Sequence, residues 1–98
     1  MVVVSKTRLN EFGKIHSTAA EPLNYWYNIV VHANWTNFSD LKKDFNSADA
    51  IGNDRYVFNI KGNSYRLISM IHFDKRTVYI RFIGTHAEYD KLINCSTI

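Results

Sequence analysis

The chain has 98 residues, which is the size of one compact domain, and we expect a single domain over residues 1–98. Its composition, 46% hydrophobic with four glycines and one proline, excludes a disordered or low-complexity chain. The net charge of +3 is unevenly placed, because residues 1–54 hold five Lys/Arg against six Asp/Glu and residues 55–98 hold seven against three. The second half is therefore basic, and a basic surface there would attract polyanions such as nucleic acids.

Several classes of protein are excluded by what the sequence lacks. Apolar runs such as Val2–Val4 are far too short for a membrane span or a signal-peptide core, so we expect a cytoplasmic protein without membrane contact. Cys95 is the only cysteine, which excludes an intramolecular disulfide and a cysteine-based zinc cage. No metalloprotease, P-loop or dinucleotide-binding motif is present, so neither a metal nor another cofactor is predicted.

The first half of the chain is predicted to be helical. Apolar residues recur with a period near 3.6 in three segments, which predicts helices over residues 5–17, 21–33 and 39–45. Ser5 and Ser39 are placed to cap the first and third helices, and Pro22 suits the first turn of the second. The polar stretch from Ser47 to Asp54 predicts a loop between two dissimilar halves.

The second half begins as a sheet. From Arg55 the hydrophobic period changes to 2, which predicts a three-stranded antiparallel meander with hairpin turns at Gly62-Asn63 and about Lys75-Arg76. Val2–Val4 is a candidate for an added strand.

A helix is predicted to follow the meander. Thr85 and Glu88 match the capping-box pattern and predict a helix from His86 to about Asn94. The sequence therefore predicts an α+β fold, with N-terminal helices on one face of a small antiparallel sheet and a C-terminal helix.

Hairpins with two-residue loops define the two faces of this sheet. They place Asn59 opposite Arg66, Met70 opposite Arg81 and Ile68 opposite Ile83. The predicted core face carries Tyr56, Phe58, Ile60, Tyr65, Leu67, Ser69, Ile71, Phe73, Val78, Ile80 and Phe82. The opposite face carries the polar residues Asn59, Lys61, Arg66, Arg81 and Thr85 among Val57, Ile68, Met70, Tyr79 and Ile83, which predicts a basic concavity.

The string from Arg55 to Leu92, RYVFNIKGNSYRLISMIHFDKRTVYIRFIGTHAEYDKL, resembles the HigB toxins of type II toxin–antitoxin modules, within the RelE-like superfamily of mRNA interferases. The elements that carry the resemblance are FNIKGNSYRL, VYIRFIGTH and EYDK. The resemblance implies a RelE-like fold and ribosome-dependent endonucleolytic cleavage of mRNA. It also implies a HigA-like helix-turn-helix antitoxin as partner, with operator DNA contacted through the complex.

Metal-independent RNA cleavage uses the substrate's 2′-hydroxyl and needs a base, an acid and a cation for the charged phosphorane. The resemblance assigns Arg66, in the YRL element, to the scissile phosphate. His86 is the acid–base candidate, because histidine is the side chain most often used for proton transfer, and Tyr89 and Asp90 share its helix face at i+3 and i+4. The predicted RNA contacts are Asn59, Lys61 and Arg81.

Alternatives remain for these roles. Asn59 stands where the best-known RelE-type arrangement has a lysine, which leaves the general base open. Arg66 could be an ordinary strand arginine, and His86 could simply begin a helix. The rival function is a non-catalytic module that binds nucleic acid in a repressor complex with the antitoxin, or serves only as an interaction partner.

Overall fold

A short strand, three helices, a four-stranded meander and a fourth helix follow one another along residues 1–98 of the computed structural model. The strands are β1 (Val2–Val4), β2 (Asp49–Gly52), β3 (Arg55–Ile60), β4 (Tyr65–His72) and β5 (Thr77–Thr85). The helices are α1 (Lys6–Ile15), α2 (Ala20–His32), α3 (Phe38–Asp44) and α4 (His86–Asp90), with 3-10 turns at Ser17–Ala19 and Cys95–Thr97. None of these helices combines the length and apolar character needed to cross a membrane.

The strands form one sheet in the order β1-β5-β4-β3-β2. β1 runs parallel to β5, and all other neighbours are antiparallel. The predicted α+β class, the meander from β3 to β5 and the added strand at Val2–Val4 are confirmed.

The predicted loop over Ser47 to Asp54 is wrong, because β2 lies within it and pairs with β3. The ladder shifts register between Ala50 and Gly52, and Asn53 and Asp54 both turn with positive φ angles of 50° and 61°. Backbone hydrogen bonding to β3, rather than any side-chain pattern, makes this segment a strand. Such short, polar edge strands carry little hydrophobic periodicity.

The helix boundaries also differ in detail from the prediction. Ser5 adopts a left-handed conformation with φ of 73° and makes no side-chain cap. Asn37, rather than Ser39, caps α3 by accepting a hydrogen bond from the Asp40 N–H at 3.0 Å. The last helix ends at Asp90 instead of near Asn94, and the chain then turns back over the sheet.

The helices α1, α2 and α3 pack on one face of the sheet and enclose the main hydrophobic core. Among its buried members are Leu9, Leu23, Trp26, Val30 and Leu41 from the helices and Phe58, Leu67, Ile71, Val78 and Ile80 from the strands. The predicted core face is confirmed for these strand residues, and Ser69 is the only buried polar residue.

Three aromatic rings link α2 and α3 to the sheet. Phe58 lies edge-on to Trp26 and to Phe45, with ring centroids 5.4 and 5.2 Å away. Trp26 is almost fully buried, and its indole N–H has no hydrogen-bond partner. The cluster therefore stabilises the fold through apolar burial and ring packing rather than through polar contacts.

The register of the first hairpin is as predicted, with Asn59 opposite Arg66. The register of the second is wrong, because Met70 lies opposite Tyr79 and Ile68 opposite Phe82. Two displacements cause this difference. The turn is centred one residue earlier, over Phe73–Arg76, whose ends are joined by the Arg76 N–H to Phe73 carbonyl bond.

The second displacement is a β-bulge in β5. The ladder shifts between Ile68 and Ser69 of β4, which leaves Arg81 as an extra residue between Ile80 and Phe82. Beyond the bulge the faces of β5 are exchanged, so Ile83 packs against the core and Phe82, predicted to be core, points to the opposite face. Arg8 of α1 contacts the strand next to the bulge, where it donates a 3.1 Å hydrogen bond to the Ile80 carbonyl.

Replacing Trp26 by alanine is expected to lower the free energy of unfolding by about 3–5 kcal/mol, because it empties the centre of the aromatic cluster. Trp26→Phe should cost less, since it keeps a ring and removes an N–H that has no partner. Tyr25→Ala is the matched control, because Tyr25 is the preceding residue of α2 and is 68% exposed. Urea unfolding of the three variants measures this, and equal losses for Trp26→Ala and Tyr25→Ala would contradict the described core.

Candidate active site

Arg66 lies in the middle strand β4 on the face opposite the helices, between Asn59 of β3 and Gly84 of β5. Its guanidinium is part-buried and makes only long hydrogen bonds, 3.3 Å to the Tyr65 carbonyl and 3.4 Å to the Asn63 amide oxygen. No aspartate or glutamate lies within salt-bridge distance of it. The positive charge of Arg66 is therefore available to an anionic ligand.

Gly84, next to Arg66 in the ladder, was not singled out from the sequence. A Cβ atom there would lie 2.6 Å from Cζ of Phe82 and 3.2 Å from Oε1 of Glu88. A side chain at position 84 would therefore have to displace the Phe82 ring and press on the Glu88 carboxylate of the capping box. A glycine inside a strand pattern signals such a close approach, and this was the signal available in the sequence.

The predicted capping box holds α4 at the end of β5. Oγ1 of Thr85 accepts from the Glu88 N–H at 3.1 Å, and Oε1 of Glu88 accepts from the Thr85 N–H at 2.8 Å. The His86 N–H donates to the Ser64 carbonyl at 3.1 Å, which ties α4 to the β3–β4 turn. The hydrogen bonds from the Thr85 backbone and side chain hold the pKa of Glu88 below its ordinary value, so this carboxylate stays charged at neutral pH.

His86 and Asp90 form a close pair along α4. Nδ1 of His86 lies 2.8 Å from Oδ2 of Asp90, and both side chains are about half exposed. A carboxylate on Nδ1 fixes the proton there and leaves Nε2 free toward solvent. The pair has the arrangement of an oriented imidazole that exchanges a proton with a substrate.

Tyr89 completes the group beside Arg66. The guanidinium carbon of Arg66 lies 5.8 Å from the centre of the Tyr89 ring. Burial raises the pKa of Tyr89, the Cys95 thiol and the Asp49 carboxylate raise it further, and the Arg66 cation opposes the rise. The phenol therefore keeps its proton at neutral pH and is a donor rather than a base.

The structure brings four of the predicted site residues to one end of the sheet, Arg66 from β4 and His86, Tyr89 and Asp90 from α4. The predicted RNA-contacting residues are distributed differently. Asn59 lies beside Arg66 and also lines, together with Lys61, a groove bounded by Glu21 and Tyr25 of α2. Arg81 lies at the bulge and donates to the Ile98 main-chain oxygen, away from this group.

The group joins a free cation, an oriented imidazole and a neutral phenol, which are the functions that acid–base cleavage of a phosphodiester requires. No three His, Cys, Asp or Glu side chains converge on a common point. This α+β fold, with such a group at one end of a mostly antiparallel sheet, defines a candidate phosphodiester-cleaving protein.

Both a family profile and individual known proteins match the sequence of this chain. The family profile described as HigB_toxin, RelE-like toxic component of a toxin-antitoxin system, matches residues 19–92. The chain therefore belongs to the HigB toxin family of toxin–antitoxin systems. The mRNA interferase HigB of Escherichia coli O6:H1 strain CFT073 is 28% identical over 94 residues, covering 94% of this chain and 91% of that protein.

Two further relatives are more similar over a shorter stretch. The mRNA interferase toxin HigB of Escherichia coli K12 and the mRNA interferase HigB of Shigella flexneri are each 49% identical over 35 residues. These alignments cover 36% of this chain and 34% of each relative.

Removal of the Glu88 charge tests the capping box through its pH dependence. A carboxyl whose pKa is lowered by folding stabilises the folded state above its ordinary pKa, and this contribution is lost as the pH falls through the lowered value. We expect wild type to be more stable than Glu88→Gln at pH 6 and the two melting temperatures to converge below about pH 4. Thermal unfolding across this range, with Glu11→Gln of α1 as control, measures the difference, and a gap that does not change with pH would contradict this role of Glu88.

Proposed function

We propose that this chain is the toxin of a type II toxin–antitoxin module and acts as an mRNA interferase, an endoribonuclease that cleaves translated mRNA on the ribosome. The observation that carries the proposal is the group formed by Arg66, Tyr89 and the His86–Asp90 pair at one end of the sheet. The names of the HigB relatives support the same activity and substrate. We place the activity in the cytoplasm, where translated mRNA is found.

The proposed reaction is attack of the RNA 2′-oxygen on the adjacent phosphorus. The P–O5′ bond breaks, a 2′,3′-cyclic phosphate forms on one product and a 5′-hydroxyl on the other. Nε2 of His86 takes the 2′-hydroxyl proton, while Nδ1 stays bound to Asp90. The step needs no metal ion, because a protein group stabilises each charge that develops.

Arg66 and Tyr89 act on the phosphate and the leaving group. The Arg66 guanidinium pairs with the non-bridging oxygens and stabilises the added charge of the phosphorane. Tyr89, which keeps its proton because burial raises its pKa, donates to the departing 5′-oxygen. The amide of Asn59, beside Arg66, contacts the RNA backbone.

We further propose a HigA-like antitoxin with a helix-turn-helix domain as the partner that neutralises the toxin. Operator DNA is contacted through that complex. The support is membership of the HigB family, since the family is described as the toxic component of a toxin–antitoxin system.

Induced expression tests the activity. We expect wild type to arrest growth and to produce new mRNA 5′ ends in translated reading frames, with cleavage reduced about 10²–10³-fold in Arg66→Ala and 10²–10⁴-fold in His86→Ala. Lys75→Ala is the charge-matched control, because this exposed lysine lies in the turn at the other end of the sheet. Intact mRNA with folded wild-type protein would favour the binding-module alternative, and full activity in both site variants would refute the site.

The chemistry has a separate test on the substrate. A single 2′-deoxynucleotide on the 5′ side of a mapped cleavage position should abolish cleavage in a reconstituted translation reaction, because the nucleophile is missing. The unmodified transcript should leave a 2′,3′-cyclic phosphate. Cleavage of the deoxy-substituted transcript at an unchanged rate would rule out 2′-oxygen attack.

A further inference from the structure

Two arginines on the open face of the sheet converge on one oxygen atom. The main-chain oxygen of Ile98 accepts from Nε and Nη2 of Arg55 at 3.1 and 2.7 Å and from Nε of Arg81 at 2.9 Å. Neither guanidinium has an aspartate or glutamate within salt-bridge distance. Three charged donors around one oxygen form the environment of an anionic oxygen, such as one of a phosphate.

The position of this pair relates it to the candidate active site. Arg55 lies opposite Met70, four residues along β4 from Arg66, which corresponds to about 13 Å on the same face. Arg81 comes from the bulge of β5 and reaches toward the same point. A single-stranded RNA that crosses the face from Arg66 along β4 would bring a neighbouring phosphate to the two arginines.

The segment Asn94–Ile98, here called the closing segment, occupies this path. It is held by a bond from the Asn53 amide to the Ser96 carbonyl at 3.1 Å, in addition to the bonds of Ile98. Asn94 shapes the segment from within, since its side-chain oxygen accepts from the N–H and hydroxyl of Ser96 at 3.2 and 2.7 Å. The bonds that attach the segment to the sheet are few. Those of Asn53 and Arg81 are exposed and those of Arg55 are part-buried, and an attachment by a few hydrogen bonds is the kind that opens locally.

We propose that Arg55 and Arg81 form a second phosphate-binding subsite for the RNA backbone, and that the closing segment fills this subsite until RNA displaces it. The inference rests on the proposed RNA substrate. It gives Arg55 a role in binding and gives Arg81 a position on the RNA path distinct from that of Arg66.

Binding of an RNA that cannot be cleaved tests the subsite separately from catalysis. The probe is a single-stranded oligoribonucleotide of about ten nucleotides, 2′-O-methylated throughout, and its affinity is measured against salt concentration. We expect Arg55→Gln/Arg81→Gln to bind about tenfold more weakly and to lower the slope of log affinity against log salt by about 0.7, the value for one phosphate contact on a single strand. Arg76→Gln is the matched control, because Arg76 also donates to a main-chain carbonyl, but that carbonyl belongs to Ala33 after α2, on the helix side of the sheet.

Loosening the closing segment should have the opposite effect. Asn53→Gly removes the bond to Ser96 and suits the φ of 50° at this position, and Asn94→Ala removes the two bonds that the Asn94 side chain accepts from Ser96. We expect the double variant to bind the oligonucleotide about fivefold more tightly, because the open state is more populated. Both substitutions keep the two arginine side chains, and Asn53→Gly keeps the main-chain carbonyl that accepts from Nη1 of Arg55 at 2.8 Å.

The outcomes separate this inference from the proposed function. No binding by wild type, or an unchanged affinity and salt slope in Arg55→Gln/Arg81→Gln, would overturn the subsite even if mRNA is cleaved in cells. Unchanged affinity in Asn53→Gly/Asn94→Ala would overturn the displacement by RNA. Binding that depends on Arg55 and Arg81 together with intact cellular mRNA would support the subsite and overturn the nuclease.

Discussion

The bulge at Arg81 is the constraint on which the arrangement of the open face depends. One extra residue in β5 exchanges the two faces of the strand beyond it, so Ile83 completes the core and Phe82 lies opposite Ile68. The same exchange puts Gly84, rather than a residue with a side chain, next to Arg66. It also turns the Arg81 side chain out of the regular ladder and toward Ile98. The glycine beside Arg66 and the position of Arg81 are thus both consequences of one irregularity in one strand.

A second constraint is that the sheet buries residues on both faces. Val57 and Ile68 point away from the helices, yet they are 5% and 0% exposed. Antiparallel sheets usually leave this face to solvent, so apolar residues there need a cover. The 3-10 turn of the closing segment lies against β2, α4 lies against β4 and β5, and the two together supply the cover. The candidate catalytic residues therefore lie on the side of the sheet that has the thinner cover, opposite the helix layer formed by α1, α2 and α3.

Secondary structure could be predicted wherever a hydrophobic pattern repeats along the chain. Strand register could not be predicted where it depends on a single residue. The helical periodicity, the alternation from Arg55 onward and the Thr85–Glu88 pair predicted the helices, the meander and the start of α4 correctly. A bulge leaves no periodic signal, because the residues on both sides of it alternate normally. The register of β5, and with it the positions of Phe82 and Ile83, depended on that one residue and on the exact centre of a turn.

The same distinction applies to the candidate site. Spacing along α4 was enough to place His86, Tyr89 and Asp90 on one helix face, because that relation is local. Their approach to Arg66 depends on the pairing of β4 with β5 and is not encoded in any single segment. Arg55 was not singled out, because its partner Ile98 lies 43 residues away and is contacted through a main-chain atom.

The layers on the two sides of the sheet are stabilised by different interactions. The helix layer is fixed by large apolar side chains such as Trp26, Phe58 and Leu41, which pack too tightly to open locally. The opposite layer is fixed mainly by hydrogen bonds near solvent, each of which contributes only about 1 kcal/mol on balance. Opening of the closing segment would leave the helix-side core intact, but it would uncover apolar surface of the sheet and free the donors of Arg55 and Arg81 that Ile98 accepts from. In the proposed binding mode, RNA takes the place of the closing segment while the helix-side core stays folded.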